Sequence, residues 1–140
     1  MLKNIPTVIG PELLKILDEM GHGDEIVIAD GNFPSHSIGQ RVVRADGIGG
    51  EAVLDGVLSL IPLDTYAPEN FMLMETTNGD PTPEIWAKYE EIAAKHDKNV
   101  REALIERYAF YERAKKAYAV IATSESAIYA NIILKKGVVK

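Results

Sequence analysis

Cysteine is absent from this 140-residue sequence, and only three histidines are present. The lack of cysteine excludes disulfides, thiolate catalysis and cysteine-based zinc sites, and it is typical of proteins from a reducing compartment. Long apolar runs are also lacking, because no stretch approaches the roughly 18 apolar residues that a membrane helix needs. Met1–Pro6 has no apolar segment of the kind found in secretory signals. We therefore expect a cytoplasmic protein that does not interact with membranes.

Positive charge is scarce: 15 lysines and arginines stand against 21 aspartates and glutamates, a formal net charge of −6. Because the basic residues are spread along the chain rather than clustered, nucleic acid and anionic membrane surfaces are excluded as partners. The serines have no nucleophile-elbow or triad context, and neither a phosphate loop nor a dinucleotide-binding glycine pattern is present. These absences exclude serine hydrolases and the common nucleotide-binding enzymes.

Apolar residues make up 46% of the chain, enough for a single domain over residues 1–140 with a sizeable core. Helix start and stop signals predict helices at 11–20, at 51–60 and after Thr82-Pro83, where we expect a cap. The segment 102–116 reads as helical or irregularly helical. Short β-branched runs predict strands at 25–29, 41–44, 71–74, 118–123 and 131–134. Strands separated by helices indicate an α/β fold, with a mainly parallel or mixed sheet flanked by helices on both faces.

Two polar residues flank the first predicted strand. His22 precedes it between two glycines, and Asp30 follows it. Imidazole exchanges protons readily near neutral pH, and a carboxylate accepts hydrogen bonds from hydroxyl groups. The alternatives are structural: His22 as a turn residue bonded to a backbone carbonyl, and Asp30 as a side chain that stabilises a turn. Local context leaves both interpretations open.

Further candidates lie in the second half of the chain. Arg107 offers a fork of hydrogen-bond donors beside aromatic neighbours, an arrangement common in carbohydrate sites, and an ion pair with Glu106 is the alternative. Tyr129 and Asn131 precede the last predicted strand, where a phenol and a carboxamide can point into a cleft at the end of a sheet. Simple packing is the alternative for the tyrosine.

The histidines also raise the question of a metal site. His36 could act as a ligand with His22, Asp24 or Asp30, because imidazole and carboxylate are suitable ligand types. No pair of these residues has the i, i+4 spacing of a helical metal motif. We therefore expect no metal, and a supporting role for His36 within its loop.

Several segments together carry a family resemblance. Gly21–Asp30 followed by Phe33–Ser37 resembles the fucose mutarotase branch of the RbsD/FucU family. The similarity continues through most of the chain, and the ribose-directed branch is less similar because Phe33–Ser37 and Arg107 follow the fucose pattern. The further matching segments are Arg44–Gly47, Leu63–Pro68, Phe110–Ala114 and Ile132–Val138.

The resemblance implies an RbsD-like fold and an isomerase that interconverts the anomers of L-fucose, or of a related reducing monosaccharide, without a cofactor. It implies His22 as the catalytic proton donor, with Asp30, Arg107, Tyr129 and Asn131 binding the sugar. It also implies a ring-shaped homo-oligomer, a decamer.

One position departs from the family pattern. Ala130 lies between Tyr129 and Asn131, where the family usually has glycine. The additional methyl group is expected to narrow the pocket, which leaves the preferred sugar open.

Two alternatives to a mutarotase are consistent with the same residues. The first is a noncatalytic monosaccharide-binding protein that assists uptake or regulation. The second is a metal-dependent isomerase that uses His22, Asp30 and His36. The substrate is also open, since Arg107 is suited to bind the phosphate of a sugar phosphate. The sequence also leaves open whether His22 and Tyr129 of one site come from different chains.

Overall fold

The computed structural model describes all residues from Met1 to Lys140, arranged around one six-stranded sheet. No helix has the length and apolar character needed to cross a membrane. In chain order the elements are α1 (Pro11–Glu19), β1 (Glu25–Ala29), α2 (Ser35–Ile38), β2 (Val42–Ala45), α3 (Gly50–Leu58), β3 (Phe71–Met74), α4 (Glu84–His96), β4 (Glu102–Ile105), α5 (Arg107–Lys116), β5 (Ala119–Thr123) and β6 (Ile132–Lys135).

The sheet is mixed, with the strand order β2-β5-β1-β6-β3-β4. The neighbouring pairs β2–β5, β5–β1 and β3–β4 are parallel, whereas β6 is antiparallel to both β1 and β3. Five strands therefore run in one direction and β6 alone runs against them. As a result, the carboxyl ends of five strands and the amino end of β6 meet at the same edge of the sheet.

β1 shows how both faces of the sheet are covered. Ile26 and Ile28 face the larger core, which they share with α1, α3 and α4. Val27 and Ala29 face the smaller core beneath α5. Successive residues of a strand point to opposite faces, so a strand buried on both sides reads as an unbroken apolar run. The prediction of an α/β sheet with helices on both faces is confirmed.

Two local predictions are wrong. The segment 102–116 is not helical throughout, because Glu102–Ile105 forms the edge strand β4 and α5 begins only at Arg107. Pairing with β3 overrides the weak local preference of this segment for helix. Thr82 does not cap α4, since Pro83 occupies the N-cap position and no side chain bonds the first turn. Proline in its extended conformation starts this helix without a capping side chain.

Arg113 fixes α5, and with it the position of Arg107. Its Nη2 lies 2.7 Å from Oε2 of Glu25 on β1, and its Nη1 lies 2.6 Å from Oε1 of Glu69. These partly buried ion pairs raise the pKa of Arg113 above its ordinary value, the hydrogen bond to Glu25 being the largest cause. The helix is thereby tied to the centre of the sheet.

Candidate active site

The carboxyl edge of the sheet contains a polar cavity of about 270 Å³. The residues that follow β1, β3 and β4 meet there with those that precede the reversed strand β6. This arrangement explains how positions up to a hundred residues apart line one cavity, at the edge where α/β proteins commonly bind ligands. The lining residues with polar groups are Asp30, Asn32, Thr77, Arg107, Tyr111, Tyr129 and Asn131.

Asp30 and Asn131 form a reciprocal pair at the floor of the cavity. Oδ1 of Asn131 accepts the backbone N–H of Asp30 at 2.7 Å, and its Nδ2 donates to Oδ2 of Asp30 at 3.1 Å. The backbone N–H of Asn32 donates to Oδ1 of Asp30 at 3.0 Å. Both side chains are almost fully buried, at 6% exposed for Asp30 and 3% for Asn131. The orientation of the carboxylate is therefore fixed before a ligand arrives.

Burial raises the pKa of the Asp30 carboxyl above its ordinary value of 3.8, although the hydrogen bonds from Asn32 and Asn131 lower it in part. A buried carboxylate with a raised pKa is poorly solvated, so it gains from any further hydrogen-bond donor that enters the cavity. Such perturbed carboxyl groups cluster at functional sites. Asp30 is therefore suited to bind hydroxyl groups.

Tyr129 adopts a left-handed backbone conformation (φ 55°), which residues other than glycine seldom do. Nε1 of Trp86 donates to the carbonyl of Tyr129 at 2.8 Å, and the hydroxyl of Tyr89 donates to the carbonyl of Ala130 at 3.2 Å. Two aromatic side chains of α4 thus hold this backbone segment, and the turn at 77–80 holds the phenol. Contacts to the backbone and to the phenol therefore hold Tyr129 in this strained left-handed conformation.

Ala130 does not line the cavity. Its side chain is fully buried in the larger core, whereas Tyr129 and Asn131 line the cavity. The expectation that its methyl group narrows the pocket is therefore wrong. The backbone of the residue contributes in two ways: its carbonyl accepts the hydrogen bond from Tyr89, and its N–H is one of the hydrogen-bond donors that lower the pKa of Asp30.

Arg107 occupies the first position of α5 at the rim of the cavity. Glu106 caps this helix, its carboxylate accepting the backbone N–H groups of Tyr108 and Ala109 at 3.0 Å. The alternative of an ion pair between Arg107 and Glu106 is thus not what the structure contains. Instead Nε of Arg107 donates to the hydroxyl of Tyr111 at 3.0 Å, which leaves the two Nη groups for a ligand.

His22 lies at the opposite edge of the sheet from the cavity, before β1 rather than after it. Its Nε2 is 2.8 Å from Oδ1 of Asp64, and its ring centroid is 5.1 Å from that of Tyr66. The side chain of His22 is 45% exposed. The five residues of β1 span about 17 Å. His22 therefore cannot reach the cavity of its own chain.

Asp64 orients the His22 ring. Burial opposes the ionisation of Asp64, yet hydrogen bonds from His22 and from the backbone N–H groups of Tyr66 and Ala67 hold the pKa of its carboxyl below the ordinary 3.8. A carboxylate only accepts hydrogen bonds, so Nε2 of His22 carries the proton in this pair. Nδ1 is then the nitrogen available for proton exchange.

His36 belongs to neither group of residues. Its Nε2 lies 3.1 Å from Nη1 of Arg44, which also pairs with Asp46. The combination of His22, Asp30 and His36 considered for a metal-dependent isomerase is not brought together within one chain. No three histidine, aspartate or glutamate side chains form a potential metal site.

Four of the five predicted site residues therefore meet in one cavity, and His22 stands apart from them. Three further residues, Asp64, Thr77 and Asp80, are not predicted from the sequence. Asn78-Gly79 is a strong signal for a tight turn that would bring its two flanking residues together. No local pattern reveals the contact of Asp64 with His22, because 42 residues separate them.

A mixed α/β sheet with a buried carboxylate, a guanidinium whose two Nη groups are free and a tyrosine around one cavity has the features of a site for a small polar molecule at the carboxyl edge of the sheet. Residues 3–139 match the RbsD / FucU transport protein family, and the chain belongs to this family.

Three relatives show how closely the chain follows the family. A fucose mutarotase of Homo sapiens is 50% identical, over 98% of this chain and 94% of that protein. The crystal structure of the fucose mutarotase from Streptococcus pneumoniae in complex with L-fucose superimposes with a TM-score of 0.95 at 49% identity, covering 99% of this chain and 100% of that one. The structure of FucU from Bifidobacterium longum has a TM-score of 0.94 at 53% identity, with the same coverage.

Proposed function

We propose that this protein is an isomerase that interconverts the α and β anomers of L-fucose by general acid/base catalysis. One observation carries the proposal: Asp30, Arg107, Tyr129 and Asn131 surround one polar cavity in a chain that closely matches a fucose mutarotase solved with L-fucose. The relative shares 49% of the residues and nearly the whole length.

The cavity offers complementary groups for a hydroxyl-rich ring. Asp30 accepts hydrogen bonds from sugar hydroxyls, and the free Nη groups of Arg107 donate to sugar oxygens. Most hydrogen-bonding groups of the Asn131 side chain are already bonded to Asp30. One Nδ2 hydrogen remains, which can point toward Met74 or a ligand. Its contribution to sugar binding is thus mainly indirect, through the carboxylate it holds.

His22 acts as the proton donor of the proposed reaction. When the sugar ring opens, the bond between the anomeric carbon and the ring oxygen breaks. Nδ1 of His22 takes up the proton that the anomeric hydroxyl loses and donates it to the ring oxygen. Closure on the other carbonyl face reverses these transfers and leaves His22 as it began. General acid/base catalysis supplies about 10²–10⁴-fold acceleration, which suffices for a reaction that already proceeds in water.

The position of His22 supports a site shared between two chains. His22 and the cavity lie at opposite edges of the sheet, so one copy presents its histidine at one end and its cavity at the other. In a ring of head-to-tail copies, each histidine would meet the cavity of the next chain. We therefore infer a homo-oligomeric ring, a decamer as in the family pattern, located in the cytoplasm as the absence of cysteine suggests.

Subunit mixing tests the shared site. His22→Ala and Arg107→Ala each remove one half of the site and should be inactive alone. If the halves come from different chains, dissociating and reassembling an equal mixture restores about a quarter of the wild-type activity, because a quarter of the sites then combine two intact halves. No recovery in mixed rings whose composition is verified by native mass spectrometry would overturn the sharing.

Saturation-transfer NMR of the anomeric protons of L-fucose tests the proposed function itself. The wild type should accelerate anomer exchange, and His22→Ala should lose most of the acceleration while remaining folded, because an exposed side chain contributes little to the core. His36→Ala is the matched control, an exposed histidine outside the cavity and away from Asp64. D-ribose, D-galactose and D-glucose measured alongside define the sugar preference.

A noncatalytic monosaccharide-binding protein is the second candidate. The separation of His22 from the cavity within one chain favours it, since a lone chain has a sugar pocket without a nearby proton donor. Binding of L-fucose without faster anomer exchange, in the fully assembled protein, would select this alternative over the mutarotase.

A further inference from the structure

The loop between β3 and α4 clasps the phenol of Tyr129. Asn78 (φ 55°) and Gly79 (φ 74°) both have left-handed backbones, and the N–H of Asp80 donates to the carbonyl of Thr77 at 3.0 Å. Two consecutive positive φ angles with this hydrogen bond make a type I′ turn, for which Asn-Gly is the preferred pair. The turn places Thr77 and Asp80 side by side, facing Tyr129.

The hydroxyl of Tyr129 is fully engaged by this turn. It donates to Oδ2 of Asp80 at 2.5 Å. Its oxygen lies 2.9 Å from Oγ1 of Thr77 and accepts the backbone N–H of Thr77 at 3.3 Å. A phenol has one hydrogen to donate, and Asp80 receives it, so Oγ1 of Thr77 acts as the donor in the second contact. Tyr129 therefore has no free proton for a ligand.

We propose that Asp80 is a positioning residue for the anomer exchange reaction, which acts by holding the phenol of Tyr129 at the wall of the cavity. The inference rests on the proposed function. Asp80 does not line the cavity, whereas Thr77 and Tyr129 do. The charge-assisted hydrogen bond to Asp80 fixes the ring of Tyr129 on a strained backbone, and the ring then forms a rigid wall for the sugar.

Loss of the Asp80 carboxylate is expected to weaken sugar binding. Without the carboxylate, the phenol has only Thr77 as a partner, and its proton is free to bond water or to compete for sugar oxygens in the wrong geometry. The ring then samples several orientations, and the cavity loses its fixed wall. Asp80→Ala is expected to raise KM and lower kcat/KM about tenfold, with a smaller change in kcat.

A double-mutant cycle with Tyr129→Phe separates positioning from general structural support. If Asp80 acts only through the phenol oxygen, Asp80→Ala lowers kcat/KM in the wild-type background but has no further effect when residue 129 is phenylalanine. Asp80→Asn keeps an acceptor oxygen and should recover part of the loss. Asp18→Ala, which removes an exposed carboxylate on α1, is the matched control and should leave KM unchanged.

The cycle is measured by NMR anomer exchange at several L-fucose concentrations on the assembled protein, with unfolding by urea as a check on stability. Equal losses from Asp80→Ala in both backgrounds, or no change in KM, would overturn the positioning role. A wild type that binds L-fucose without exchange would instead overturn the proposed function. In that case the same double-mutant cycle is measured on the dissociation constant of L-fucose. Equal losses of affinity from Asp80→Ala in both backgrounds would again overturn the positioning role.

Discussion

At the scale of single residues, Asp30 combines a buried carboxyl group with a raised pKa. The folded protein holds the proton of Asp30 more tightly than the unfolded chain does. Its contribution to the free energy of unfolding is complete below the ordinary pKa of 3.8 and is lost as the pH rises through the raised value. The ionised carboxylate thus weakens the fold at neutral pH while serving the cavity.

Asp30→Asn, which cannot ionise, should therefore gain stability relative to the wild type as the pH rises from about 3 to about 7. Its affinity for L-fucose should fall, because an amide replaces the acceptor carboxylate. Urea unfolding of both proteins at the two pH values measures the first effect, and NMR titration with the sugar measures the second. A stability difference that does not vary with pH would show that Asp30 carries no raised pKa.

Asp64 should show the opposite dependence on pH. The pKa of its carboxyl is lowered in the folded protein, so its contribution to stability is present above 3.8 and is lost as the pH falls through the lowered value. Asp64→Asn is expected to be less stable than the wild type at neutral pH, with a difference that shrinks in acid. It should also slow anomer exchange, because His22 loses the carboxylate that orients it. Equal stability at neutral pH would contradict this account.

At the scale of elements, the packing of α3 against α4 depends on a missing side chain. A Cβ on Gly50, the first residue of α3, would collide with the hydroxyl of Tyr89 on α4. That hydroxyl is buried and hydrogen-bonded to the carbonyl of Ala130, so it cannot simply move away. The position of α4 relative to the cavity therefore relies on glycine at residue 50.

Gly50→Ala is expected to lower the free energy of unfolding by about 1–3 kcal/mol, the usual cost of overpacking. Tyr89→Phe removes the colliding oxygen and should recover part of this loss in the double variant. Gly21→Ala is the control, since a Cβ there meets Oδ2 of Asp24 only at 3.7 Å, an ordinary contact. Urea unfolding is measured for the wild type and these four variants, and additive losses in the double variant would refute the collision.

Some helices and strands can be predicted from the local sequence alone, and others cannot. β1 and α4 are predicted well because an unbroken apolar run and a clear apolar periodicity each have one stable solution. β4 is not predicted, since Glu102–Ile105 contains good helix formers and becomes a strand only through its pairing with β3. The local sequence does not show which strand it will pair with.

At the scale of the whole molecule, a site shared between chains makes activity depend on assembly. If His22 and the cavity come from different copies, diluting the protein below the concentration at which the ring dissociates should abolish anomer exchange in step with the loss of the oligomer. Analytical ultracentrifugation gives the mass, which for a decamer is ten times the 15.4 kDa of one chain. Full specific activity in a verified monomer would contradict a shared site.

The sequence by itself determined the α/β class and most of the helices and strands, because apolar periodicity is a local property. Residue chemistry marked four cavity residues as candidates, and the family resemblance pointed to them as site residues. Only the tertiary structure decided which of these residues meet. The direction of β6 brings Tyr129 and Asn131 to the end of β1, while the length of β1 keeps His22 away from them. Strand pairing between residues far apart in the chain sets these positions. It therefore decides which candidate residues lie close enough together to form a site.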